Sequence, residues 1–287
     1  KTGVGMMDCK KALTETNGDV DAAADLLRKK GIAKAASKGS RVATEGLVGA
    51  FVSADGKSGS IVEINSETDF VARNEAFVAL LDNVSKLIVE KGTIETGSGE
   101  DLASLPSWQS GATVDEAVKE QISKIGEKLD IRRFTRYQAG ADGQLGAYIH
   151  LGGKIGVLVE LKGAGDLTDL ARDIAMHVAA SQPQYIAREE VPADQVEKEK
   201  EILIAQPDLQ SKPENVRLKM VEGRIGKYFE QICLLEQSFV KDPSTSIADL
   251  VKKANASVTR FTRYGLGEGL EKKVDNFAEE VASYMKG

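Results

Sequence analysis

The chain has 287 residues, of which 41% are hydrophobic and 29% charged, and its net charge of -6 comes from 38 Lys and Arg against 44 Asp and Glu. That length exceeds one ordinary domain and the balance can close a buried core, which excludes the disordered and fibrous classes. The acidic excess excludes a general coat on DNA or RNA and confines any nucleic-acid contact to a local patch.

Cys9 and Cys233 are the two cysteines, far apart and without a CxxC or Cys/His companion, a pattern of free thiols in a reducing compartment. No apolar run approaches the roughly 20 residues that span a bilayer, and no signal-like apolar segment opens the chain. These features point to the cytoplasm, or to an organellar matrix if a targeting segment has been removed. The abrupt start at Lys1 to Met7 suggests a short preceding helix.

Helical periodicity covers Met7 to Thr16, breaks at the Asn17-Gly18-Asp19 turn, and resumes from Val20 to Lys30, with Gly31 as the closing residue. The stretch Arg28 to Arg41 carries six basic residues among Ala, Gly and Ser and reads as a solvated linker. The period then changes. Gly46 to Ser53 and Ser58 to Ile64 alternate as strands around an Asp55-Gly56 turn. Phe77, Val78, Leu81, Val84 and Ile88 recur at helical spacing, Val114 to Leu129 forms a second helix, and Ile131 to Tyr137 returns as a strand.

The same unit then comes again. Gly49-Ala50-Phe51-Val52 matches Gly146-Ala147-Tyr148-Ile149, and Gly59, Ile61, Glu63 and Ile64 match Gly156, Leu158, Glu160 and Leu161, all at an offset of 97 (49 to 146). Arg133-Phe134-Thr135-Arg136-Tyr137 recurs letter for letter as Arg260-Phe261-Thr262-Arg263-Tyr264, at an offset of 127 (133 to 260). The second copy has therefore gained a net 30 residues (127 less 97).

The gain has an evident location. Pro192 opens a helix to Ala205, Pro207 and Pro213 bracket a turn, and Pro213 starts a helix ending near Ile232. Met220, Val221, Ile225, Tyr228, Phe229 and Ile232 stripe the second of these helices, as expected for an antiparallel helical hairpin. A last helix, Leu270 to Met285, follows the loop Gly265 to Gly269.

Enzyme signatures are weak. Gly163-Ala164-Gly165-Asp166-Leu167-Thr168 follows a strand and opens a helix as a dinucleotide fingerprint does, but Thr168 stands at the third glycine and the strand is the second arm of a hairpin. Gly265, Gly267 and Gly269 lack the Lys-Ser/Thr of a phosphate loop. His150 and His177, the two histidines, sit in no metal or nucleophile motif. His177 flanks the stripe Leu167, Leu170, Ile174 and Val178 and reads as structural. His150 ends a strand before the Gly152-Gly153 turn, where its ring is available to a partner. In Asn65 to Arg73, the seven-residue spacing from Phe70 to Phe77 makes Phe70 a first-turn core residue, with a protruding wedge between Asp69 and Arg73 as the other reading.

Thr2-Gly3-Val4-Gly5-Met6-Met7-Asp8-Cys9-Lys10-Lys11-Ala12-Leu13 resembles the N-terminal signature of the elongation factor Ts family, and Thr68-Asp69-Phe70-Val71-Ala72 resembles its second signature. Similarity continues through Asp130 to Arg133, Met176 to Ala180, Lys219 to Arg224 and Gly267 to Gly269. The family's usual first few residues are absent, and the stretch Thr96 to Ala112 with Trp108 looks irregular. The resemblance implies an α+β architecture: a ubiquitin-associated-like helical domain and linker at 1–40, a duplicated α+β core with antiparallel sheets at 41–139 and at 140–190 with 236–265, an inserted coiled-coil arm at 191–235, and a C-terminal helical module at 266–287.

It further implies a guanine nucleotide exchange factor without bond-making chemistry, cofactor or metal of its own. The implied partner is elongation factor Tu, GDP-bound and nucleotide-free, with no direct nucleic acid and no membrane. Met6 and Met7 would dock on its GTPase domain, where flexible thioethers suit an apolar contact. Thr68, Asp69, Phe70 and Val71 would reach the Mg²⁺ and phosphate region with Phe70 as the wedge. Ala72 and Arg73 would extend that contact, and His150 would touch a further domain. Two alternatives stand beside this: a nucleotide-dependent dehydrogenase on Gly163 to Thr168, and an RNA binder using the two Arg-Phe-Thr-Arg-Tyr strands. The favoured role for those arginines is to brace the two halves through buried pairs.

Overall fold

Asn17 and Gly18 both take the left-handed conformation, at φ 52° and 85°, and so end one helix, α1 (Met6–Glu15), before the next, α2 (Val20–Ala36), begins. A computed structural model of the chain describes Thr2 and residues 4–271, with 32–36 as backbone alone. Ala12, Ala23 and Leu27 are buried between the two helices, with Val4, Cys9 and Leu26 at the edge. Contrary to the sequence reading, α2 does not close at Gly31. A Cβ there would lie 2.9 Å from Ser123 Oγ, so the glycine permits close approach of another segment, and that packing overrides a helix penalty of about 1 kcal/mol. The basic stretch is not wholly solvated either. Lys38 is buried and its Nζ donates to the Gly126 carbonyl.

The chain falls into two compact units, one of Lys1–Val48, Val62–Phe134 and Gly265–Gly287, the other of Gly49–Ile61 and Thr135–Tyr264. After α2 come β1 (Glu45–Val52), β2 (Ser58–Ser66), α3 (Glu75–Lys91), β3 (Thr96–Gly97), α4 (Gly99–Leu102), α5 (Val114–Ile125) and β4 (Leu129–Gln138). The sheet order is β1-β2-β4-β3. The first core gathers Val62 and Ile64 of β2, Phe77, Leu80, Leu81, Val84 and Ile88 of α3, and Ile131 and Phe134 of β4. Val78 of the expected stripe is exposed instead. The helix expected to reach Leu129 stops at Ile125, because Gly126 turns left-handed at φ 87° and Leu129 faces inward as the first residue of β4. The irregular stretch resolves into β3 and α4, the latter held by a Ser98–Asp101 capping box.

The remaining elements are β5 (Gly143–His150), β6 (Ile155–Gly163), α6 (Thr168–Ser181), α7 (Ala193–Ile204), α8 (Pro207–Gln210), α9 (Glu214–Ile232), β7 (Ser238–Phe239), β8 (Asp242–Ser246), α10 (Ile247–Lys253) and β9 (Ala256–Gly265). β5 and β6 pair antiparallel, from Gly143 opposite Lys162 to His150 opposite Ile155, and β9 completes a sheet of order β5-β6-β9. The second core joins Val157, Val159 and Leu161 of β6 to Ala171, Ile174 and Val178 of α6. Both sheets put the second hairpin strand beside the closing strand, β2 beside β4 and β6 beside β9. The chain is thus a mixed α+β protein with antiparallel sheets.

Between α6 and β9 the helices α7 and α9 pack on each other. Leu203, Leu209, Val221 and Ile225 are buried at one level and Val191, Ile232 and Cys233 at another. Pro192 and Pro213 cap the two helices and Pro207 opens α8, where a missing N–H costs nothing. Gln184 and Tyr185 both donate backbone N–H groups to the Ile232 carbonyl, at 2.8 and 3.0 Å. Burial pushes the Cys233 thiol up to about 11, which keeps it inert. The last helix expected from Leu270 to Met285 lies outside the described residues beyond its first two.

The repeated arginines pair first with a carboxylate of their own copy. Arg133 Nε lies 2.7 Å from Glu63 Oε2, and Arg260 Nε lies 2.6 Å from Glu160 Oε2. The expected arginine bridge between the copies therefore takes another form, since the carboxylate that each guanidinium pairs with lies in its own copy. Across the copies, Arg133 Nη2 donates to the Gly265 carbonyl at 3.0 Å and Arg260 Nη2 to the Gln138 carbonyl at 3.3 Å, beside the hydroxyl contacts of Thr135 with Tyr264 and of Tyr137 with Thr262.

Candidate functional site

β2 leaves the sheet at Ser66, and the segment that follows does not become helix at once. Phe70 precedes a short 3-10 turn, Val71–Arg73, and α3 starts only after Asn74, whose side chain accepts the Ala76 N–H at 2.8 Å. Val71 and Ala72 turn inward and are buried, Val71 within the first core. Phe70 points out and is 77% exposed. The spacing argument for a core Phe70 therefore fails. Helical period does not run through a 3-10 turn and a fresh cap, so seven residues before Phe77 is not two turns of one helix.

The loop is fixed from behind. The Thr68 N–H donates to Glu127 Oε2 at 2.9 Å and its hydroxyl to Glu127 Oε1 at 2.8 Å. In return the Lys128 N–H donates to Glu67 Oε1 at 2.6 Å. Arg41 Nη1 sits 3.2 Å from Glu67 Oε2, and Lys128 Nζ donates to the Arg41 carbonyl at 3.0 Å. Ser66 Oγ donates to the Thr68 carbonyl at 2.9 Å. Backbone donors meeting ionised carboxylates make strong, short bonds, so the turn carrying Phe70 is ordered although its ring is bare. Asp69 and Arg73 lie exposed beside that ring with 3.7 Å between their charged groups, too open a pair to contribute much.

Met6 and Met7 begin α1 and are 85% and 64% exposed, the reverse of their usual burial. His150, at the end of β5, is half-buried. Its ring stacks on Tyr148 at 5.8 Å between centroids, and the Tyr148 hydroxyl lies 3.2 Å from Nδ1. Thr68 through Arg73 are brought together in one turn, Met6 and Met7 stand on another element of the same unit, and His150 belongs to the second unit. His177 is fully buried in α6: the Val240 N–H donates to its Nδ1, and its Nε2 faces Gln237 Oε1 at 3.0 Å.

Other chemistry finds little support. The Gly163 to Thr168 loop joins a strand antiparallel to its neighbour to α6, so it lacks the parallel βαβ setting of a dinucleotide site. A cavity of about 280 Å³ near α2 and α5 is lined by Leu27, Arg28, Gly31, Glu116 and Ser123, and Arg28 and Glu116 already pair at 3.0 Å. Among the described residues, no group of three His, Cys, Asp or Glu is placed to hold a metal ion, and no helix is long and apolar enough to cross a membrane.

Residue reading missed the supports of the loop. Glu127 and Lys128 lie about sixty positions from Thr68, and no local pattern links them; only the sharp turn that Gly126 announces marks the place. It also missed Glu63, fully buried, on which Arg132, Arg133, Asn65 and the Gly267 N–H converge. Burial pushes the Glu63 carboxyl up, but the bonds from Gly267, Asn65 and the two arginines outweigh it and hold the group below the usual range.

The model of the family described as Elongation factor TS matches residues 67–268, well over half of the chain and the stretch that carries the exposed aromatic loop, and the chain belongs to that family of nucleotide exchange factors of translation elongation.

Proposed function

We propose that the chain binds elongation factor Tu, GDP-bound or nucleotide-free, and drives GDP out by disturbing the Mg²⁺ and phosphate site so that GTP can load. The observation that carries this reading is Phe70, a large aromatic 77% exposed on a turn held rigid by charged hydrogen bonds. A bare aromatic on an ordered loop is what a wedge requires, since no ordering cost remains to be met at contact. Thr68, Asp69 and Phe70 act at the Mg²⁺ site and Arg73 extends the contact, while Val71 and Ala72, expected to touch the partner as well, are buried and serve as the footing of the loop. Met6 and Met7 dock on the GTPase domain, and His150 anchors a further domain.

No bond need be made or broken. GDP is held largely by charge, through the phosphate-binding backbone and Mg²⁺, so displacing the ion's ligands removes the strongest local attraction. Weakening GDP a thousandfold takes about 4 kcal/mol of coupling, and reciprocity requires that nucleotide weaken the factor equally, so incoming GTP expels it. On this reading 1–40 is a ubiquitin-associated-like docking module with its linker. Residues 41–139 and 140–190 with 236–265 are the two core copies, 191–235 is a coiled-coil arm, and 266–287 is a C-terminal helical module. The work is cytoplasmic, or in an organellar matrix.

The test is release of labelled GDP from elongation factor Tu. Phe70→Ala should slow stimulated release at least tenfold, on the order of 1.4 kcal/mol, without shifting the melting transition. Unimpaired release by that variant would sink the wedge.

A further inference from the structure

We propose that Glu127 is a positioning residue for nucleotide release, acting through Thr68 to set the direction of Phe70. The inference rests on the functional reading above. Glu67 and Glu127 make a reciprocal clasp between two chain segments: each carboxylate accepts the backbone N–H of the residue that follows the other, Glu67 from Lys128 at 2.6 Å and Glu127 from Thr68 at 2.9 Å. Glu127 accepts the Thr68 hydroxyl as well, at 2.8 Å, so both oxygens of one carboxylate grip a residue two places before the wedge.

The internal duplication tells whether this clasp serves the fold or the loop. At the repeat offsets, Glu67 and Thr68 correspond to Ala164 and Gly165, and Glu127 and Lys128 to Ala254 and Asn255. The second copy thus has no carboxylate at either place, yet it forms the same hairpin, helix and closing strand. There the two segments meet by close backbone approach instead, since a Cβ on Gly163 would fall 2.8 Å from the Asn255 carbonyl oxygen. The residue matching Phe70 is Leu167, which is buried in the second core. The helix after it starts at Thr168, the counterpart of Val71, whereas α3 is delayed to Glu75. Acid clasp, 3-10 turn and outward aromatic occur together in one copy and are missing together from the other. The fold does not need the clasp, and the outward loop has it.

Three variants in the same release assay, read as saturating rate and half-saturating concentration separately, test the inference. Glu127→Ala should lower the saturating rate about tenfold, with half-saturation and melting little changed, and the Thr68 amide should exchange its hydrogen faster. Glu127→Gln keeps an acceptor for the N–H and should retain most of the rate. Combining Glu127→Ala with Phe70→Ala should be no worse than Phe70→Ala alone, because both act on one wedge. A normal saturating rate for Glu127→Ala beside an impaired Phe70→Ala overturns the inference and leaves the functional reading standing. Normal rates for both overturn the two together.

Discussion

The Tyr137 hydroxyl lies 2.7 Å from Thr262 Oγ1, and because the same five residues recur 127 positions later, the reciprocal pair, Thr135 Oγ1 and the Tyr264 hydroxyl, meets at the same 2.7 Å. One contact is thus used twice, about an approximate twofold relation between the two closing strands. Arg260 adds to it, its guanidinium 4.0 Å from the centre of the Tyr137 ring. Tyr137→Phe should cost about 1 kcal/mol of stability in urea denaturation, the worth of one partly buried hydroxyl bond. Tyr137→Phe with Thr262→Val should cost scarcely more, since the two changes delete one bond. Fully additive losses would mean the hydroxyls are satisfied elsewhere.

The duplicated copies are expected to divide the work. Asp69→Ala and Phe70→Ala should lower the maximal exchange rate. His150→Ala should chiefly weaken binding and recover at high factor concentration, because its ring stands on a strand end stacked with Tyr148. A His150→Ala variant with normal affinity and a reduced saturating rate would contradict the division.

The helical hairpin should be separable only above its base. Replacing residues 199–224 by a short Gly/Ser turn removes the level of Leu203 and Val221 but keeps Tyr185, Val196, Tyr228 and Ile232, and circular dichroism should find the rest folded. Leu234 is different, being fully buried within the second core, so Leu234→Ala should cost about 2–5 kcal/mol. Global unfolding of the shortened chain would make the whole hairpin part of that core.

His177 should make stability fall on acidification. Burial lowers its pKa below the ordinary 6.5, only partly opposed by the Gln237 bond, and the Val240 N–H occupies Nδ1, so the folded ring is the neutral form with its proton on Nε2. The unfolded chain therefore takes up this proton first. The stabilisation is complete above pH 6.5 and is lost as pH drops below it toward the folded value. Melting temperatures taken from about pH 7.5 to 5 should fall more steeply for the native chain than for His177→Gln. Equal slopes would remove His177 as the cause.

The sequence by itself determined the duplication, the hairpin-helix-strand order of each copy, and the site of the helical insertion, because each is written in local periodicity, in turn residues such as Asn17-Gly18, or in a repeat of letters. It also supplied, through its signatures, the family and the segment Thr68 to Arg73. Only the tertiary structure decided which way that segment faces. Phe70 has the spacing of a core residue and Gly31 the look of a helix end, and each reading failed on structure that spacing does not show: a 3-10 turn and a fresh Asn74 cap separate Phe70 from α3, and Ser123, far along the chain, packs against Gly31. Close packing between distant segments, as at Gly31, outweighs the roughly 1 kcal/mol or less by which local preference chooses a conformation, and pattern along the chain carries no record of which distant residues will meet.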